Sequence, residues 1–134
     1  NALFVSSHQM PLWPGTGKPD ETGAYGNVMN VPLAPGTDGA RMRAVYTGEV
    51  FPRLRAFAPE MIVVSAGFDA HLADPLAHLE WSEADFAWLT RELCALADAI
   101  CGGRLVSVLE GGYDLEALAR SARAHVSELK EAAG

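Results

Sequence analysis

Three short runs of the chain are apolar without a break: Ala2 to Ser6, Met61 to Ser65 and Leu105 to Leu109. Each is rich in Val, Ile or Leu and lacks the polar alternation of a half-wet strand. That pattern fits strands of a parallel sheet with helices on both faces. Val28 to Leu33 is a weaker fourth candidate, because Asn30 and Pro32 interrupt it and proline suits a strand end or an edge. Between these runs the apolar residues fall at helical spacing. Asp38 can cap a helix carrying Met42, Val45, Tyr46, Phe51, Leu54 and Phe57, ending before Pro59. Ser82-Glu83-Ala84-Asp85 resembles a capping box with Asp in place of Glu. The helix it opens runs through Phe86, Leu89, Leu93 and Leu96 toward Cys101, and Gly102-Gly103 stops it. Asp114 is a good cap for the last helix, with Glu116 in its first turn and Leu115, Leu118, Val126 and Leu129 on its apolar side. Strands alternating with helices predict an α/β fold, a three-layer αβα arrangement around a mainly parallel sheet.

No repeat or linker divides the chain, so residues 1–134 read as a single domain, large enough to bury about two-thirds of its unfolded surface. It opens on strand residues without an initiator Met, which predicts a partial domain belonging to something longer. A net charge of -7 argues against a nucleic-acid surface, which needs clustered Lys and Arg. No apolar run reaches the roughly 20 residues of a membrane helix, and Asn1 to His8 lacks the basic start of a signal peptide. Cys94 and Cys101 lie on one predicted helix with about 10 Å of rise between them, too far for a disulfide. Two reduced thiols fit a cytoplasmic location.

Polar chemistry gathers where the strands end, which in open α/β sheets is where ligands bind. The three runs lead into Ser6-Ser7-His8, into Ser65-Ala66-Gly67-Phe68-Asp69-Ala70-His71, and into Glu110-Gly111-Gly112-Tyr113-Asp114. This predicts His8, Asp69 and Tyr113 around one crevice. The segment from His8 to Asn27 is long, rich in Gly and Pro and without periodicity, as functional loops often are.

The string from Ser65 to His71 followed by Asp74-Pro75-Leu76 resembles the second metal-binding segment of the histone deacetylase and acetylpolyamine amidohydrolase family. Leu109-Glu110-Gly111-Gly112-Tyr113-Asp114-Leu115 resembles its catalytic tyrosine loop, and Trp13-Pro14-Gly15-Thr16-Gly17 and Asn30-Val31-Pro32-Leu33 match two further segments in the family's order. The resemblance implies an arginase/deacetylase-like fold, present in its C-terminal part only. It implies a parent enzyme that hydrolyses an N-acetyl amide of the acetyl-lysine or acetylpolyamine type, releasing acetate and a free amine. By the same resemblance Asp69 is a ligand of the catalytic zinc and Tyr113 the donor to the tetrahedral oxyanion. Gly111 and Gly112 let the backbone approach the substrate stem, Trp13 and Leu76 line the channel for the acylated arm, and Ser6 and Ser7 contribute to a monovalent-cation site suited to K+.

The match is partial. The family's other two zinc ligands, in an Asp-x-His segment, and its pair of adjacent histidines lie upstream of its first matching strand, and this chain contains neither. Catalytic zinc sites have three protein ligands, so the expectation is that this chain alone is not a competent deacetylase. Asp69-Ala70-His71 is itself an Asp-x-His, and on a strand both side chains would face one ion; the family does not use that histidine, and packing is the favoured reading. His8 reads as structural, His78 and His125 as solvent-facing, Trp81 and Trp88 as packing, and Glu128, Lys130 and Glu131 as a solvated helical face. Two other readings stay open: a dimetal ureohydrolase on the same scaffold, against which the Glu110–Tyr113 loop speaks, and a non-catalytic remnant. An edge left open by truncation would favour self-association.

Overall fold

The computed structural model describes all residues from Asn1 to Gly134. In chain order it contains β1 (Phe4–Gln9), β2 (Val28–Leu33), α1 (Gly39–Val45), a π-helical segment (Tyr46–Val50), α2 (Phe51–Phe57), β3 (Ile62–Ala66), α3 (Glu83–Cys101), β4 (Leu105–Leu109) and α4 (Leu115–Ala132). Every strand pairing is parallel. Phe4 lies opposite Val28 through Gln9 opposite Leu33, and Ile62 opposite Leu105 through Ala66 opposite Leu109. The pairs form two separate two-stranded sheets. β2, the weakest candidate from sequence, is a full strand whose only partner is β1, so Pro32 costs it little. β1 begins later than its apolar run and continues through Ser7, His8 and Gln9, because those residues pair with Val31, Pro32 and Leu33.

The helix caps follow the sequence signals. The Asp38 carboxylate accepts the Arg41 amide at 2.8 Å, and that of Asp114 accepts the Ala117 amide at 2.8 Å. Asp85 Oδ2 accepts both the Ser82 amide (2.9 Å) and the Ser82 hydroxyl (2.7 Å), while Arg43 reaches Asp85 Oδ1 at 2.8 Å and ties α1 to the start of α3. Gly102, left-handed, ends α3. The helix predicted from Asp38 onward is not continuous. Pro52 cannot donate to the carbonyl four residues back and its ring crowds that turn, and the wider π-helical turn directly before it relieves both conflicts.

Two apolar clusters hold the layers together. Val31, Leu33, Met42, Val45, Val50, Ala66, Phe68, Leu79, Trp81 and Phe86 form one; Phe51, Ile62, Leu96, Ala97 and Cys101 form the other. Trp88 packs beside Phe51 with the Arg43 guanidinium over its ring, so both tryptophans of this region are packing residues. The other side of the β3–β4 pair is bare: Val63 and its register partner Val106, with Val108, are exposed. No helix is long and apolar enough to cross a membrane.

His125 departs from expectation. It is 8% exposed, with Nδ1 2.7 Å from Thr90 Oγ1 and Nε2 2.7 Å from Ser107 Oγ, so it joins α4 to α3 and β4. The face that α4 turns toward α3 includes this residue, a choice that apolar periodicity does not register. Glu128 also leaves the solvated face, because its carboxylate takes two hydrogen bonds, at 2.9 and 2.6 Å, from Arg91 of α3. His78 is exposed as expected.

Candidate functional site

The loop after β3 and the loop after β4 meet. Parallel pairing of the two strands delivers both chain ends to one edge, and three hydrogen bonds then join the loops. Glu110 N–H donates to the Ala66 carbonyl (3.0 Å), Phe68 N–H to the Gly111 carbonyl (2.8 Å), and Tyr113 N–H to the Asp74 carboxylate (2.9 Å). Asp69 is thereby seated against Gly111. A methyl group at Gly111 would lie 3.1 Å from the Asp69 carboxyl carbon and 3.2 and 3.3 Å from its oxygens, so only glycine leaves that approach unstrained. Gly112 has φ +136°, a conformation L side chains rarely adopt, and its Cβ position would crowd Leu118 and Phe68.

Asp69 makes no ion pair and accepts no hydrogen bond from another side chain. Burial pushes its carboxyl above the ordinary range, and the charge of Asp74 adds to this. A partly desolvated carboxylate without a cationic partner suits a metal ligand, the strongest local source of positive charge such a site can gain. It stands alone in that respect: no group of three or more His, Cys, Asp and Glu converges here. The chemistry of Asp69 fits one ligand of a metal site, and a catalytic zinc site takes three protein ligands. The Tyr113 side chain is 55% exposed.

His71 does not stand beside Asp69 as a strand would place it. Residues 69 and 70 form a turn, closed by the His71 amide on the Phe68 carbonyl at 3.2 Å, which removes the shared-face premise. The ring is 3% exposed and stacks on Phe86. Its Nδ1 accepts the Ala73 amide at 3.0 Å, so the neutral ring carries its proton on Nε2, which faces Glu83 at 3.4 Å. Both nitrogens thus face protein groups. Glu83 in turn accepts Arg120 Nε at 2.6 Å, and that guanidinium holds the Glu83 carboxyl down at about 2.

His8 joins a different neighbourhood. Its Nε2 donates to the Gly17 carbonyl at 2.9 Å, leaving Nδ1 to accept the Ser6 hydroxyl at 2.9 Å, so it fastens the 10–27 loop to β1 in a structural role. It also lines a depression of about 530 Å³ with Ser6, Trp13, Glu21 and Asn30, among whose lining residues neither Asp69 nor Tyr113 appears. Asp69 and Tyr113 stand on the two loops that meet, whereas His8 lies within β1 and turns its ring toward Gly17 of the 10–27 loop. Ser6 and Ser7 point to opposite faces of β1; the Ser7 hydroxyl lies 2.6 Å from that of Tyr46. Trp13 is 94% exposed and Leu76 60% exposed. Asp74 escaped the sequence reading as a functional residue, although Asp followed by Pro is a turn signal that could have marked it.

A family model described as the histone deacetylase domain matches residues 1–129. The chain is 43% identical over 122 residues to histone deacetylase 14, chloroplastic, of Arabidopsis thaliana, covering 89% of this chain and 29% of that one. It is 44% identical over 117 residues to a probable deacetylase of Archaeoglobus fulgidus, covering 85% and 33%. The crystal structure of the HDA15 HD domain superposes with a TM-score of 0.85 at 33% identity, covering 95% of this chain and 37% of that one. The chain spans about a third of the length of the curated relatives it matches.

Proposed function

The chain belongs to the histone deacetylase domain family, and on that premise we propose that its two meeting loops supply one zinc ligand and the oxyanion donor of a metal-dependent deacetylase. The observation that carries this reading is the Asp69 carboxyl lodged against the Gly111 backbone, two residues before Tyr113. Asp69 would supply one carboxylate ligand to the metal. Zinc, when bound, polarises an amide carbonyl and makes water a stronger nucleophile at neutral pH. Tyr113 donates its hydroxyl proton in a hydrogen bond to the oxygen that gains charge as the amide carbon becomes tetrahedral, where a preorganised donor acts most strongly. Gly111 and Gly112, without side chains, leave room for the substrate's aliphatic stem, and the exposed faces of Trp13 and Leu76 flank it. Ser6 and Ser7 would contribute oxygens to a monovalent cation such as K+, only one of them through its hydroxyl because the two side chains face opposite sides of β1. The substrate is an acetyl-lysine or an acetylated amine, and the proton passes through a histidine supplied from outside residues 1–134. A dimetal ureohydrolase site would need several free carboxylates, whereas both oxygens of Asp74 already accept amide protons.

One carboxylate holds a divalent ion weakly, so the test uses Co2+ at millimolar level on the 134-residue chain, read by paramagnetic broadening of amide signals. Broadening should centre on residues 67–69 and 110–112 and vanish in Asp69→Asn. Broadening confined to other carboxylates would refute the metal role. In a parallel assay the chain should not deacetylate an acetyl-lysine peptide; zinc-dependent turnover abolished by Tyr113→Phe would show that the site is completed within this chain.

A further inference from the structure

Asp74 is 8% exposed, and its two oxygens do different work. Oδ1 accepts the Leu76 amide at 2.9 Å, a local turn, while Oδ2 crosses to the other loop and accepts the Tyr113 amide at 2.9 Å. The partners are 39 positions apart, so this is a tertiary bond. It is also the one side-chain bond to the tyrosine loop. The Gly111 and Gly112 amides have no acceptor, and the Gly112 backbone lies where only glycine is comfortable. Gly111 is held through its carbonyl by the Phe68 amide, but neither glycine amide is bonded, so Gly112 leaves a hinge directly before Tyr113. A buried carboxylate gripping the next amide removes that freedom, and hydrogen bonds to ionised acceptors are the stronger kind.

We propose that Asp74 is a positioning residue that clamps the Tyr113 backbone and so fixes where the tyrosine hydroxyl stands relative to the Asp69 carboxylate. The value of the clamp to catalysis rests on Tyr113 being the oxyanion donor, but the clamp itself does not. Asp69 and Asp74 thus divide the work of one loop: Asp69 faces the metal, and Asp74 turns its charge toward the partner loop.

The chain has three tyrosines, which makes the clamp readable by fluorine NMR after 3-fluorotyrosine incorporation. Tyr25 is almost fully exposed and serves as the free reference; Tyr46, bonded to Ser7, reports the integrity of the fold. Asp74→Asn keeps the side chain's shape but has one accepting oxygen, which the local turn to Leu76 retains. The Tyr113 resonance should then move toward that of Tyr25 while the Tyr46 resonance stays in place. Exchange of the Tyr113 amide should quicken at least about tenfold, the factor expected for losing one hydrogen bond to a charged acceptor. An unmoved Tyr113 resonance and amide, with Tyr46 intact, would overturn the proposal. Should the variant lose its fold, the wild-type chain decides. Its Tyr113 amide must exchange more slowly, relative to intrinsic rates, than those of Gly111 and Gly112, and equal rates overturn the clamp. A clamp that passes while Co2+ fails to broaden signals around Asp69 would sink the metal role proposed for Asp69 and leave the clamp standing.

Discussion

Acidification should weaken this fold through His125 before the carboxylates begin to matter. Thr90 Oγ1 donates to the Phe86 carbonyl at 2.7 Å, so toward His125 it can only accept. The ring therefore carries its proton on Nδ1, and Nε2 accepts the Ser107 hydroxyl. The ring also meets Phe68 edge-on at 5.8 Å, and the acid one turn away, Glu128, is already engaged by Arg91. A second proton would place a charge among these groups with no counter-ion and force the Ser107 hydroxyl to turn. Burial accordingly pushes His125 below the ordinary histidine value.

The sign follows from proton counts. An unfolded histidine titrates near about 6.5, so below that pH the unfolded chain binds more protons than the native one. The contribution of a neutral His125 is complete above about pH 6.5 and is lost progressively below it, until the depressed native value is reached. The slope approaches about 1.4 kcal/mol per pH unit, the limit for one proton. Glu83, Asp85 and Glu128 have lowered values, so their contributions fade only below about pH 4.5, outside this window. Asp69, pushed upward, acts in the opposite sense in the acid range. Urea unfolding followed by tryptophan fluorescence between about pH 7.5 and 5.5 measures the effect, with His125→Gln as the subtraction. Wild type should lose up to about 1 kcal/mol more than the variant across the last unit. Parallel stability curves for the two proteins would refute the argument.

Two further outcomes follow from packing. Leu96 is almost fully buried among Phe51, Ile62, Ala97 and Cys101, so Leu96→Ala should cost about 3 kcal/mol and lower the urea midpoint at unchanged slope; a loss under about 1 kcal/mol would mean that the cluster is loose or collapses. The outward side of β3–β4 exposes Val63, Val106 and Val108. The chain should therefore self-associate on concentration, and Val106→Thr with Val108→Thr should shift sedimentation velocity toward the monomer. An unchanged distribution would place the contact elsewhere.

The local decisions were largely legible. Asp38, Ser82-Asp85 and Asp114 cap helices because a side-chain oxygen beside free amides is a short-range event, and Gly102 ends α3 because glycine tolerates the left-handed turn. The apolar runs ending in Gly-rich segments located both loops of the candidate site, since strands buried on a core face admit little polar residue before they end. The interrupted helix was legible in principle, Pro52 being a local signal. That His8 lies inside β1, not after it, was not legible because strand length depends on what lies alongside: β2 holds Ser7 to Gln9 in register, and no property of those residues alone reports it.

Composition and pattern alone determined the α/β class, most helix ends and the two strand-end loops that carry Asp69 and Tyr113. Which residues touch was decided only by the tertiary structure. Asp74 reaches Tyr113 across 39 positions, and His125 finds Thr90 and Ser107 on two other elements. A titratable side chain on a helix is equally consistent with water or with a buried partner until packing chooses the face it turns inward. Hydrogen bonds act over about 3 Å, so the sequence lists the candidates, and the fold alone brings a given pair within reach.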